Sequence, residues 1–123
     1  MVKIAVIDDN QTFRLFVKQI LELAGYEVAL FVTADDFFAK EKELDTYALY
    51  IVDYNMPGMS GITALENIKY NPMTKDIPVL FVTGEPEREL VNTAIRYKVN
   101  DFLSKPIDPN LLVARVQKLI SKR

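Results

Sequence analysis

The sequence predicts an α/β fold, a doubly wound parallel sheet of five strands with helices on both faces. Short β-branched or apolar runs alternate with longer segments of helical period, and the rhythm repeats five times. Three of the runs are apolar along most of their length, as expected for strands covered by helices on both sides. The length of 123 residues suffices for one well-buried core but not for two, so a single domain over 1–123 is expected.

Val2 to Ile7 opens the chain as the first strand. A helix over 11–24 follows, with an apolar face including Phe13, Phe16, Val17, Ile20 and Ala24, and Gly25 closes it as a left-handed residue. Tyr26 to Phe31 is the second strand, and Thr33 with Asp36 has the spacing of a capping box for a helix over 34–43. Tyr47 to Val52 is the third strand. The helix over 61–70 stops at Asn71-Pro72, because a residue before proline is pushed out of the helical region. Val79 to Val82 is the fourth strand, and Pro86 lies just inside the start of a helix over 86–97, where its missing N–H costs nothing. Asp101 to Ser104 and a helix over 109–121 complete the pattern.

Half of the residues are apolar and 26% are charged, the balance of a globular protein. A net charge of -2 gives no field favouring nucleic acid or an anionic membrane. Without cysteine or histidine, the chain cannot build thiolate or imidazole metal sites, serine-type triads or its own phosphohistidine. Any histidine in its chemistry belongs to a partner. The apolar start is too short for a signal peptide or membrane span, and the expected location is the cytoplasm.

In a doubly wound sheet, right-handed crossovers bring the carboxyl ends of the strands to one edge, where ligands bind. The residues following the strands are Asp8 and Asp9, Asp53, Thr83 and Lys105. Taken alone, Asp8-Asp9 reads equally well as helix-start carboxylates and Thr83 also reads as a turn residue, whereas the place of Lys105 before proline at a strand end disfavours a solvated surface lysine. Converging, three carboxylates about 5 Å apart repel by roughly 3 kcal/mol per pair at an effective dielectric near 20, and one lysine does not compensate them. Hard oxygen ligands of this kind favour Mg²⁺. Acids, a hydroxyl and an ammonium around such an ion suit phosphoryl transfer, with Asp53 attacking and Thr83 and Lys105 holding phosphoryl oxygens.

Four strings in order, each at a strand end, carry a resemblance over nearly the whole chain: Ile7-Asp8-Asp9-Asn10, Val52-Asp53-Tyr54-Asn55-Met56-Pro57-Gly58-Met59-Ser60-Gly61, Ile77-Pro78-Val79 through Val82-Thr83-Gly84, and Phe102-Leu103-Ser104-Lys105-Pro106. Together they resemble the receiver domain of two-component response regulators, including the chemotaxis type. The resemblance implies a flavodoxin-like (βα)5 three-layer sandwich with strand order 2-1-3-4-5. It implies that Asp53 accepts a phosphoryl group from a sensor histidine kinase or histidine phosphotransfer protein. Asp8, Asp9, Asp53 and the backbone carbonyl of Asn55 would hold Mg²⁺, with Asp9 the more direct carboxylate ligand.

By the same resemblance Lys105 pairs with the phosphoryl group, and the bond to Pro106 is cis. Thr83 moves toward the phosphoryl oxygen and Phe102 swings inward, although Phe102 also reads as ordinary core. The fourth helix, fifth strand and fifth helix then form the output face, docking a downstream target or a second copy. Asn55 and Glu85 fall where phosphoryl lifetime is tuned, and Pro57 and Gly61 have structural positions. No separate substrate is turned over. Where many receivers have glycine before the fifth strand, this chain has Lys98-Val99-Asn100, and Asn100 is expected to take any left-handed conformation there.

Other readings fit less well. A phosphohydrolase with an aspartate nucleophile needs a second acid at position 55, and Asn55 cannot donate a proton in that way. Flavin binding on the same fold meets repulsion from Asp8-Asp9. A non-phosphorylated interaction module is disfavoured by the intact chemical positions, and a receiver segment of a longer DNA-binding regulator stays open.

Overall fold

The computed structural model describes residues 1–84 and 88–121. In chain order the elements are β1 (Lys3–Ile7), α1 (Gln11–Leu23), β2 (Glu27–Phe31), α2 (Ala34–Lys40), β3 (Leu49–Asp53), α3 (Gly61–Tyr70), β4 (Val79–Thr83), α4 (Arg88–Arg96), β5 (Asp101–Ser104) and α5 (Pro109–Ser121). A single 3₁₀ turn, Leu44–Thr46, precedes β3. All neighbouring strands are parallel, in the order β2-β1-β3-β4-β5.

Alternate residues of the central strands enter two separate cores, because side chains on a strand point to opposite faces. Ile4, Val6, Leu49, Ile51, Leu80 and Val82 pack with Val17 and Leu21 of α1 and with Leu112, Val116 and Leu119 of α5. Ala5, Ile7, Tyr50, Val52, Val79 and Phe81 pack with Phe37 of α2, with Ala64, Leu65 and Ile68 of α3, and with Ala94 of α4. Phe37 is the hub of the second core, with Phe31, Phe38, Tyr47 and Tyr50 around it at ring separations of 4.8 to 5.9 Å.

Several expected details change. On α1 the inward residues are Phe13, Val17, Ile20 and Leu21, while Phe16 and Ala24 face solvent. At about 100° per residue, a face centred on Val17 and Leu21 turns Phe16 outward. Helix α2 ends at Lys40 rather than 43, since Glu41, Lys42 and Glu43 offer nothing apolar to bury. The Glu41 carboxylate instead accepts the Tyr47 hydroxyl at 2.6 Å and the Glu43 N–H at 3.0 Å. Thr33 caps α2 through the Asp36 N–H at 3.1 Å. Pro86, the expected first residue of α4, lies outside the described residues.

Helices α1 and α4 end alike. Gly25 has φ 97°, with Gly25 N–H donating to Glu22 O and Tyr26 N–H to Leu21 O. Lys98 has φ 68°, with Lys98 N–H donating to Ile95 O and Val99 N–H to Ala94 O. Both are Schellman closures, which place the left-handed residue two past the last helical one. Lys98, not Asn100, therefore takes that conformation. The Asn100 side-chain oxygen is otherwise engaged, accepting the Val79 N–H and the Lys69 amine, each at 2.8 Å.

Candidate phosphoryl and metal site

The strand order reverses between β1 and β3, so the ends of these two strands flank the crevice of the sheet. Ile7 is in register with Val52, which places Asp8 level with Asp53 at the rim. Asp53 and Thr83 are the last residues of β3 and β4, one position earlier than a loop assignment, and Lys105 follows β5 directly.

The rim brings the three acids together. Single carboxylate oxygens of Asp8, Asp9 and Asp53 all lie within 4.8 Å of one another. Asp8 is fully buried and Asp9 is exposed. Asp8 Oδ1 accepts the Asn10 N–H at 2.9 Å, and Oδ2 accepts the Lys105 amine at 2.8 Å. The Lys105 amine also lies 4.2 Å from the centre of the Phe13 ring, a cation–π contact. Asp53 receives a longer bond, 3.3 Å, from the Asn55 N–H.

Burial, followed by the charge of Asp8, pushes the Asp53 carboxyl up to about 7; Lys105 and the Asn55 N–H counter this in part, and Asp9 adds to it. Three carboxylates against one ammonium is a site short of positive charge. Its donors are oxygens from a chain with neither imidazole nor thiolate, a set that fits a hard divalent cation such as Mg²⁺.

Thr83 is buried, and its carbonyl accepts the Lys105 N–H at 2.7 Å, tying the ends of β4 and β5 together beside the acids. The Lys105–Pro106 bond is cis. Phe102 is half-buried and meets Phe81 edge to face at 6.2 Å, and Phe81 meets Tyr54 in the same way at 5.7 Å. Phe102 also lines a groove of about 270 Å³ with Leu103, Pro106, Ile107 and Leu111. Gly61 starts α3 against the rim, where a Cβ would lie 2.8 Å from Tyr54 Cα and 3.0 Å from Asp53 O. Pro57 is exposed in the loop between β3 and α3, and Glu85 lies outside the described residues.

Sequence reasoning missed three contributors. Asn10 caps α1 by accepting the Phe13 N–H at 2.9 Å, which its position before a helical stretch could have signalled. Phe13 was visible only as part of an apolar face. Arg14 donates to the Asp8 carbonyl at 2.8 Å, and nothing in the local sequence marks that contact.

The profile of the response regulator receiver domain matches residues 4–117. Chemotaxis protein CheY1 of Helicobacter pylori is 31% identical over 121 residues, covering 96% of both chains. Chemotaxis protein CheY-3 of Vibrio cholerae is 33% identical over 122 residues, covering 98% of this chain and 92% of that protein. The solved structure of chemotaxis response regulator CheY4 of Vibrio cholerae superposes with a TM-score of 0.88 at 28% identity, covering 97% of this chain and 98% of that one. With its rim of acids at the ends of β1 and β3 and a match spanning nearly every element, this chain belongs to the response regulator receiver domain family.

Proposed function

We propose that the chain is a Mg²⁺-dependent phosphoryl switch in which Asp53 accepts phosphoryl from a phosphohistidine on a sensor kinase or phosphotransfer protein. Family membership implies phosphorylation-based signalling rather than turnover of a separate substrate. The observation that carries the finer reading is the cluster of Asp8, Asp9 and Asp53 within 4.8 Å, with Lys105 2.8 Å from Asp8. Bound by these acids and the Asn55 carbonyl, Mg²⁺ would supply positive charge beside the phosphoryl oxygens.

In the transfer an Asp53 carboxylate oxygen bonds to phosphorus as the P–N bond of the donor breaks, and the departing imidazole keeps that electron pair and takes up a proton. The chain has no histidine, so the donor is external. In this reading Lys105 and Thr83 would supply an ammonium and a hydroxyl to the equatorial phosphoryl oxygens. Drawing them toward the phosphoryl group would pull on the linked ends of β4 and β5 and repack Phe102, altering the face formed by α4, β5 and α5 for a target or second copy. Asn55, and Glu85 outside the described residues, are the positions proposed to tune phosphoryl lifetime.

Incubation with a small-molecule phosphodonor and Mg²⁺ should add one phosphoryl group by intact mass, and Asp53→Asn should abolish it. Undiminished labelling of that variant would move the acceptor elsewhere.

A further inference from the structure

The loop between β3 and α3 begins at Asp53, carries Asn55, and is largely exposed from Asn55 to Ser60. Its side-chain anchors are Met56 and Met59, partly buried against the second core, while Asn55, Pro57, Gly58 and Ser60 are exposed. Its neighbour across the rim is Asp35, in the first turn of α2, which belongs to neither the acidic cluster nor the sequence motifs. Asp35 Oδ2 accepts the Met59 N–H at 2.9 Å across 24 residues of chain. Among the described residues this is the backbone hydrogen bond that ties residues 55–60 to an element other than the flanking β3 and α3.

The fit around this bond is close. Gly58 has φ 75°, and a Cβ there would lie 2.3 Å from Asp35 Oδ2. Helix α2 is itself a firm base, capped by Thr33 and anchored by buried Ala34 and Phe37. Asp35 thus connects a packed helix to a loop whose backbone, apart from the side-chain packing of Met56 and Met59, is held by its flanking elements.

We infer that Asp35 is a positioning residue for the cation site, clamping the loop at Met59 so that the Asn55 carbonyl is held ready to ligate the metal. The inference rests on the Mg²⁺ reading above. Mg²⁺ demands near-ideal octahedral geometry, so a carbonyl ligand on a loosened loop loses much of its value. Residues that orient metal ligands from one layer out typically contribute 10- to 100-fold in affinity. Asp35 also brings a negative charge, and charge alone would give some of the same effect, so the test must separate the two.

Calorimetric titration of the full chain with MgCl₂, together with urea unfolding, does so. Asp35→Ala is expected to weaken Mg²⁺ binding about tenfold, at the lower end of that range. Asp35→Asn, which keeps an acceptor oxygen without the charge, should stay within about twofold of wild type. Gly58→Ala, whose methyl displaces the carboxylate, should weaken binding as Asp35→Ala does. A purely structural role would shift the urea midpoint and leave the Mg²⁺ Kd of the folded protein alone. Wild-type affinity in Asp35→Ala, or an Asp35→Asn variant as weak as Asp35→Ala, would overturn the clamp while leaving the site intact. Wild-type protein that takes up no Mg²⁺, or takes it up equally after Asp9→Asn, would overturn the Mg²⁺ reading and the clamp with it.

Discussion

Lys105 and Asp8 form an ion pair of 2.8 Å in which the carboxylate is wholly buried and the amine about one-quarter exposed. The residues are 97 positions apart, so the pair joins the end of β1 to the end of β5. Removing one partner of a buried pair leaves an uncompensated charge, which typically costs 3–5 kcal/mol. Here the orphaned charge would sit beside two further carboxylates. Lys105→Met should destabilise the metal-free protein by ~3 kcal/mol, with Mg²⁺ recovering part of the loss. Urea denaturation with and without Mg²⁺ measures both, and an unchanged midpoint would refute the prediction.

Asp53 should make the metal-free protein less stable as pH rises through neutrality. Its folded value of about 7 lies above the ordinary 3.8. Below about pH 4 both folded and unfolded states hold the proton, and the contribution to stability is complete. Between the two values the unfolded chain has lost a proton that the folded chain keeps, so stability falls as pH rises, with a slope of up to ~1.4 kcal/mol per pH unit. Above the folded value the contribution is gone. Urea midpoints in chelator from pH 5 to pH 8 should fall more steeply for wild type than for Asp53→Asn; parallel curves would contradict the assignment.

Lys98→Gly should stabilise the protein by ~0.5–1 kcal/mol. A left-handed residue with a Cβ carries a cost of roughly 1–2 kcal/mol that glycine avoids, offset in part by the greater freedom of glycine in the unfolded chain. Gly25→Ala should have the opposite sign, because φ 97° at Gly25 closes α1 in the same manner. Thermal unfolding of both variants tests the pair of signs.

The layout of strands and helices was legible because burial on both faces leaves unbroken apolar runs such as Leu49–Val52, and because Gly25 and Asn71-Pro72 punctuate the helices by local rules. The rim could be read for a topological reason: parallel strands deliver the residues at their carboxyl ends to one edge whatever the helices between them contain. What escaped was set by tertiary competition. Asn100 has the side chain best suited to a left-handed turn, yet its amide oxygen serves the Val79 N–H and the Lys69 amine, and the backbone closure of α4 selects Lys98 instead. Phe13 over Lys105 and Asp35 under Met59 join elements whose relative placement no local pattern encodes.

The division of the interior into two packed halves limits where this chain can change length. Deleting or inserting one residue within β3 would exchange the partners of Tyr50, Ile51 and Val52 and turn Asp53 away from the crevice, so both layers and the acceptor would fail together. The connections at the opposite edge, 41–48 and 71–78, feed the beginnings of β3 and β4, whereas the acids stand at the strands' other ends. Tyr47, Thr74 and Ile77 within them are buried, so the exposed pairs Lys42-Glu43 and Lys75-Asp76 are the places to splice in a reporter or open new termini while sparing the acidic rim.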